Sequence, residues 1–363
     1  MNRLPAKILI MSNALKILIP SAVSFILGIL LTPLLTHYFY KYKMWRKVSR
    51  DNSVPSSCDF QKIHDQRCQQ AEISTPRTGG MIVWLSVAVT IFVIWLLDTL
   101  IDSAITNKMY FISRNQTLLP FLTLILASLI GLGDDFVQIF SRGEWLKDPV
   151  KLRFIKVGII VLLGLLIGWW FSAKLGINEI YIPWLGLVEI GVLFIPFFIT
   201  VMLAVFSSSV IDGLDGLSGG VLASIFGAYA FIAFFNNQID LAAFCAVITG
   251  GTLAFLWFNI PPARFYMGET GMIGLTVTIS ILAFLTNTVL LLPIIAFPLF
   301  ITSLSNIIQM TSRKFGHGRK IFRVAPLHHH LEAIGWSKEK IVMRYWIISI
   351  VSAMLGVILS ALN

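Results

Sequence analysis

Asp134, Asp135, Asp212, Asp215 and Glu269 stand out because each lies where a long apolar run begins or ends, in a sequence with only 18 acidic residues among 363. Asp212 and Asp215, in Ile-Asp-Gly-Leu-Asp-Gly, open an apolar run. A spacing of three puts both on one face of a helix at its N-terminus, with Gly213 and Gly216 leaving room for close approach. One Asp suffices to cap a helix. A second acid at a membrane edge, with no Lys or Arg beside it in sequence, carries a desolvation cost that a cation would offset. Asp134 and Asp135, in Gly131-Leu-Gly-Asp-Asp, end another run, and adjacent acids at a helix C-terminus oppose the macrodipole, so they call for a metal ion or basic partners. Solvated charge at a helix end is the plain alternative for that pair. Glu269 adds a third acidic point, on a Pro- and Gly-rich turn. Hard oxygen ligands in this number suit Mg²⁺, which takes one or two carboxylates, waters and substrate phosphates. The chemistry they point to is Mg²⁺-dependent phosphoryl transfer.

The histidines narrow the chemistry. Three of the six are consecutive, His328, His329 and His330, in a loop that also holds Arg313, Lys314, Arg319, Lys320 and Arg323. Zinc is the rival reading, but three successive residues do not easily face one tetrahedral ion and no Cys accompanies them. Phosphate binding by imidazole and guanidinium groups is the simpler account.

The elements that must position these residues are membrane-length helices. At 56% hydrophobic and 13% charged, with a mean hydropathy of +0.82, the chain holds more apolar residue than one soluble core hides. Runs long enough to cross about 30 Å of hydrocarbon are read at 17–39, 78–97, 117–133, 153–171, 190–206, 217–235, 241–258, 271–288, 290–311 and 341–361. An all-α polytopic membrane protein of about ten transmembrane helices follows, forming a single domain over 1–363. Alternate loops at 40–77, 133–156, 207–216, 259–270 and 311–344 carry 22 of the 28 Lys and Arg residues. The positive-inside rule then sets both termini outside and all five acids at the cytoplasmic face. The net charge of +10 is accounted for by anionic lipid headgroups and anionic substrates, and no nucleic-acid-binding module is visible. The first run is a retained helix, since it is longer than a signal-peptide core and lacks an Ala-x-Ala site. Segment 174–188 alternates and carries turn residues, which predicts a short exterior hairpin. Cys58, Cys68 and Cys245 form no ligand pattern and are expected as reduced thiols.

Further motifs run along nearly the whole chain: Thr75-Pro-Arg-Thr-Gly-Gly80, Leu256-Trp-Phe-Asn259, Met267-Gly-Glu-Thr-Gly271, and Gly318-Arg-Lys-Ile-Phe-Arg-Val-Ala-Pro-Leu-His-His-His-Leu-Glu-Ala-Ile-Gly-Trp336. With the acidic motifs, these resemble the polyprenyl-phosphate N-acetylhexosamine-1-phosphate transferases, and the histidine loop resembles the branch that carries a muramoyl-pentapeptide. The resemblance implies transfer of phospho-N-acetylmuramoyl-pentapeptide from its UDP donor to undecaprenyl phosphate, giving lipid I and UMP in peptidoglycan precursor synthesis. It also implies Mg²⁺ as cofactor, the lipid bilayer as medium, a bacterial inner membrane with the site on its cytoplasmic face, and either a monomer or a homodimer.

By the same resemblance, Asp134, Asp135 and Lys151 serve the lipid phosphate and its attack, Asp212 supports the diphosphate site, and Glu269 takes the place of a metal-binding Asp. Gly213, Leu214, Asp215 and Tyr266 match uridine-binding positions, with Tyr266 stacking on uracil, and Asn259 with His328, His329 and His330 lines the substrate and diphosphate site. The chain departs from the family pattern at Gln138, where a Lys is usual, at Ser209 for Asn, at Glu269 for Asp, at Met272 for Ser, and at Gln69 and Gln70, where basic residues are usual. Direct attack and a covalent aspartyl intermediate are both open. A UDP-N-acetylglucosamine transferase of the same family would share the acidic motifs, and the histidine loop discriminates against it. A transporter would instead place charge near mid-membrane and show internal repeats, and no repeat is visible.

Overall fold

The computed structural model describes residues 6–45, 74–101, 103–113, 116–140, 149–183, 185–316 and 318–362. Cys58, Cys68, Gln69 and Gln70 lie outside them. Thirteen α-helices occur among the described residues: α1 (Ala6–Lys41), α2 (Met81–Ile101), α3 (Ala104–Met109), α4 (Leu118–Phe140), α5 (Pro149–Lys174), α6 (Phe194–Phe206), α7 (Leu217–Phe235), α8 (Ile239–Asn259), α9 (Gly268–Leu285), α10 (Leu292–Ile295), α11 (Phe297–Phe315), α12 (Leu327–Ala333) and α13 (Lys338–Ala361). Among the described residues, nine stretches are long and apolar enough to cross a membrane, and the pair Val289–Ile295 and Phe297–Phe315, bent by 88°, is a tenth if taken as one span. These coincide with the ten apolar runs of the sequence.

The bend has a local cause. Pro298 has no N–H to give the carbonyl of Ile294, so the ladder breaks at Ala296 and restarts with proline in the first turn of α11. The ninth run is therefore not the straight helix expected over 290–311. Beyond the bend, α11 turns an apolar stripe of Phe300, Leu304, Ile307 and Met310 outward and buries Thr302, Ser303, Ser305 and Gln309. An exposed apolar face over a buried polar one is the pattern of a helix that meets lipid on one side and protein on the other. The polar face has partners: Gln309 binds the backbone of Ile321 and Phe322, and Ser305 Oγ accepts from Leu327 N at 2.9 Å. Through them α11 fixes the approach to the histidine helix α12.

Helices α7, α8 and α9 form the interior, and α9 is enclosed almost throughout. Enclosure brings backbones close, which small residues allow. A methyl group added at Gly131 would fall 2.2 Å from the carbonyl oxygen of Glu269, and one at Gly274 2.0 Å from Ser128 Oγ, so α4 and α9 touch almost backbone to backbone. At the opposite end of α5 from the acids, Glu179–Ile182 (β1) pairs antiparallel with Gly186–Glu189 (β2), Tyr181 opposite Leu187, which is the hairpin expected over 174–188. Phe171, Phe194, Phe198 and Phe284, from α5, α6 and α9, pack on one another, with Phe198 and Phe284 ring centres 4.6 Å apart. Cys245 is a buried free thiol.

Candidate active site

The site gathers around the first turn of α9. Helix N-termini leave backbone N–H groups unsatisfied, and α9 finds its partners in acids from elsewhere. Asp135 is buried and accepts from Thr270 N at 2.8 Å, Thr270 Oγ1 at 2.6 Å and Glu269 N at 3.2 Å. Asp212 Oδ2 accepts from Gly268 N at 3.0 Å, and its Oδ1 from Ser218 Oγ at 2.8 Å. Gly268 is required here: its φ is +66°, and a methyl group would fall 1.8 Å from the carbonyl oxygen of Arg77.

Asp134 and Asp135 do not end their helix as expected from sequence. α4 continues to Phe140, because both acids have partners that offset the macrodipole. Asp135 turns to α9. Asp134 Oδ2 lies 2.7 Å from Lys156 Nζ and accepts from Gln138 Nε2 at 2.6 Å. The same ammonium lies 2.9 Å from Glu269 Oε1, so Lys156 joins α4, α5 and α9. Glu269 Oε2 is buried with no hydrogen-bond partner. Lys151 stands exposed one to two turns earlier on α5, and Lys156, not Lys151, makes these two ion pairs.

Asp212 and Asp215 also differ from expectation. They sit in a turn ahead of α7, with Asp212 at φ −73°, ψ 63° and Gly216 at φ +79°, so they share no helical face. Asp215 instead accepts from Ala263 N at 3.1 Å. The turn is tied down at both faces: Gly216 N donates to Asn259 Oδ1 at 2.9 Å, and Gly216 O accepts from Trp346 Nε1 at 3.0 Å. Asn259 is buried, and its amide also donates to Phe265 O at 2.8 Å. Both ends of that amide are thus used to hold the 212–216 turn against the loop that carries Tyr266. Leu214 is a core residue, while Gly213 is exposed, with its Cα turned toward the histidine helix. Tyr266 is half-buried and backbone-paired with the Thr75–Gly80 motif, its N–H to Pro76 O at 2.8 Å and its carbonyl to Gly79 N at 2.9 Å.

Burial raises the Asp212 carboxyl above the usual carboxylate range, against the hydrogen bonds from Ser218 and Gly268 and the charge of Arg77. The Asp215 carboxyl is raised by the same cause, opposed by Ala263 N–H and the charge of Lys338. His328 is wholly buried, and neither ring nitrogen has a partner. Burial and the neighbouring His329 hold it well below its ordinary pKa, so it is neutral. Its Nε2 faces Gly213, where a methyl group would fall 2.5 Å from it and 2.9 Å from His329 Nε2. His329 pairs through Nδ1 with Glu332. His330 turns away, accepting from Arg323 N at 3.2 Å, because successive helical residues are about 100° apart. The structure thus brings His328 and His329 to the acidic turn and leaves His330 to brace the loop.

Among the described residues, no three His, Cys, Asp or Glu side chains are grouped to hold an ion. Mg²⁺ does not need such a cage, since waters and substrate phosphates complete its shell. Glu269 Oε2, a hard oxygen buried without a partner, fits that requirement. Sequence reasoning missed Lys156 and Thr270. A lysine one turn inside an apolar span signals a buried partner, and Thr270 lies within the quoted Gly-Glu-Thr-Gly motif.

Residues 117–287 match the pattern of glycosyl transferase family 4. The chain is 33% identical over 347 residues to the phospho-N-acetylmuramoyl-pentapeptide-transferase of Geobacillus thermodenitrificans, covering 94% of this chain and 97% of that protein. It is 32% identical over 345 residues to the protein of the same name from Thermoanaerobacter sp., covering 94% and 98%, and 30% identical over 360 residues to that of Chloroflexus aggregans, covering 95% and 89%.

Proposed function

The chain belongs to the phospho-N-acetylmuramoyl-pentapeptide-transferase family, and we propose that it transfers phospho-N-acetylmuramoyl-pentapeptide from a UDP donor to undecaprenyl phosphate, giving lipid I and UMP. The observation that carries this reading is the convergence of Asp134, Asp212, Glu269, Lys156 and the unpartnered His328 about the N-terminus of α9.

The residues divide the work as follows. A phosphate monoester has its second pKa near ~6, so the lipid phosphate is deprotonated at neutral pH and needs positioning more than a base. Its oxygen attacks the β-phosphorus of the donor, and the bond from that phosphorus to the UMP phosphate oxygen breaks. Asp135 has both oxygens occupied by Glu269 and Thr270; this supports direct attack, with Asp135 as a positioning residue for α9. His328 is neutral and can donate one hydrogen bond to a diphosphate oxygen without a charge change. The basic groups Arg77 and Lys338, whose charges act on Asp212 and Asp215, favour an anion beside the acids. Tyr266 offers a ring for uracil, beside the turn that holds Asp215. A Mg²⁺ ion, held through Glu269 Oε2, would supply charge neutralisation of the diphosphate. We place the site on the cytoplasmic face of the inner membrane, from the Lys and Arg asymmetry.

Purified protein supplied with undecaprenyl phosphate, UDP-N-acetylmuramoyl-pentapeptide and Mg²⁺ should release UMP and yield a lipid product heavier by the phospho-muramoyl-pentapeptide. Absence of both products from folded protein would remove the assignment.

A further inference from the structure

Lys156 holds two carboxylates at once, Asp134 at 2.7 Å and Glu269 at 2.9 Å, on helices far apart in sequence. Two acids and one ammonium leave one negative charge, and the leftover oxygen, Glu269 Oε2, is buried without a partner. Gln138 shares Asp134 Oδ2 but brings no charge. We propose that the Lys156 ammonium is a built-in counter-cation of the Asp134 and Glu269 pair, and that a divalent cation and this ammonium compete for Glu269.

The argument is one of charge and reach. A divalent ion on Oε2 shares the carboxylate whose other oxygen already holds the ammonium, so two cations sit within a few ångströms in a partly desolvated place. Like charges at that separation repel strongly where water is scarce. Lysine can yield, because its charge rides on a flexible stem with three rotatable donors, and Asp134 keeps it when Glu269 is taken. The consequence is weak resting affinity for the divalent ion, which tightens once a diphosphate adds negative charge. This rests on the reading of Glu269 as the divalent-cation ligand.

The test uses Mn²⁺ alone as probe, in whole detergent-solubilised protein without donor or acceptor, read by electron paramagnetic resonance. Lys156→Gln should bind Mn²⁺ more tightly than the natural chain by on the order of tenfold or more, Lys156→Arg should not, and adding Glu269→Gln to Lys156→Gln should abolish the gain. Equal or weaker Mn²⁺ binding by folded Lys156→Gln overturns the proposal. If that variant fails to fold, the natural protein decides: Mg²⁺ should raise the rate at which an N-hydroxysuccinimide ester acetylates Lys156 relative to Lys174, and an unchanged ratio overturns it. The muramoyl donor is absent throughout. A protein that gains Mn²⁺ affinity on Lys156→Gln yet never turns over that donor would refute the proposed substrate while leaving the competition standing.

Discussion

Gly213→Ala tests whether the acidic turn and the histidine helix work as one unit. The added methyl group falls 2.5 Å from His328 Nε2 and 2.9 Å from His329 Nε2, against 3.4 Å for ordinary contact. His328 must therefore withdraw by about 0.9 Å, or the turn must. The ring has little space to do so: it is wholly buried, and its centroid is 4.2 Å from that of His329. A misplacement of about 1 Å in a positioned group can cost on the order of 10²-fold in rate, and overpacking of this kind costs about 1 to 3 kcal/mol of stability. Initial rates of UMP release, measured beside thermal unfolding, should show kcat/KM down by roughly 10²-fold with a modest loss of stability. Gly227→Ala is the control: nothing lies within 4 Å of the added methyl group, so turnover should stay unchanged. A Gly213→Ala protein as active as the natural one would show that His328 and the 212–216 turn need not be in register.

Further outcomes follow from the same contacts. Asn259→Ala strands Gly216 N and Phe265 O, two buried groups worth about 1 to 3 kcal/mol each, so thermal unfolding should show a loss of about 2 to 6 kcal/mol. EDTA should abolish turnover and Mg²⁺ restore it; Glu269→Gln should lower the rate by roughly 10²-fold or more, while Glu269→Asp keeps activity because the ligand type is retained. Full activity in chelator would contradict the role given to Glu269. His328 titrates below its ordinary value of 6.5 when folded, so below about pH 6.5 the unfolded chain binds the proton first and stability falls with falling pH. His328→Gln should flatten that acid limb in melting curves taken between about pH 5 and 7. The raised Asp212 and Asp215 carboxyls act in the opposite sense, costing stability as pH rises through their folded pKa values, and the comparison of the two proteins cancels them.

The helices were legible because a membrane demands long apolar runs, and ten such runs can be counted without any contact information. The carboxylates were legible as types but not as geometry. A spacing of three is compatible with a helix, yet Gly216 at φ +79° makes Asp212 to Gly216 a turn, and Asn259 and Trp346, 43 and 130 residues away, hold it there. The extension of α4 past its two acids depends on Lys156 and on Thr270, contacts that cross between helices and leave no local pattern. The three consecutive histidines look equivalent in sequence. Helical rotation separates them, sending His330 to Arg323 while His328 and His329 stay against Gly213. The bend at Ala296 was readable only in part: Pro298 withholds an N–H there, yet Pro20 and Pro33 sit inside α1 without breaking it.

The most direct test of the central claim is a comparison of donors. With purified protein, undecaprenyl phosphate and Mg²⁺, kcat/KM should be measurable for UDP-N-acetylmuramoyl-pentapeptide, with UMP and a lipid-linked muramoyl-pentapeptide formed in equal amounts, and negligible for UDP-N-acetylglucosamine. Preferential use of UDP-N-acetylglucosamine would contradict the account.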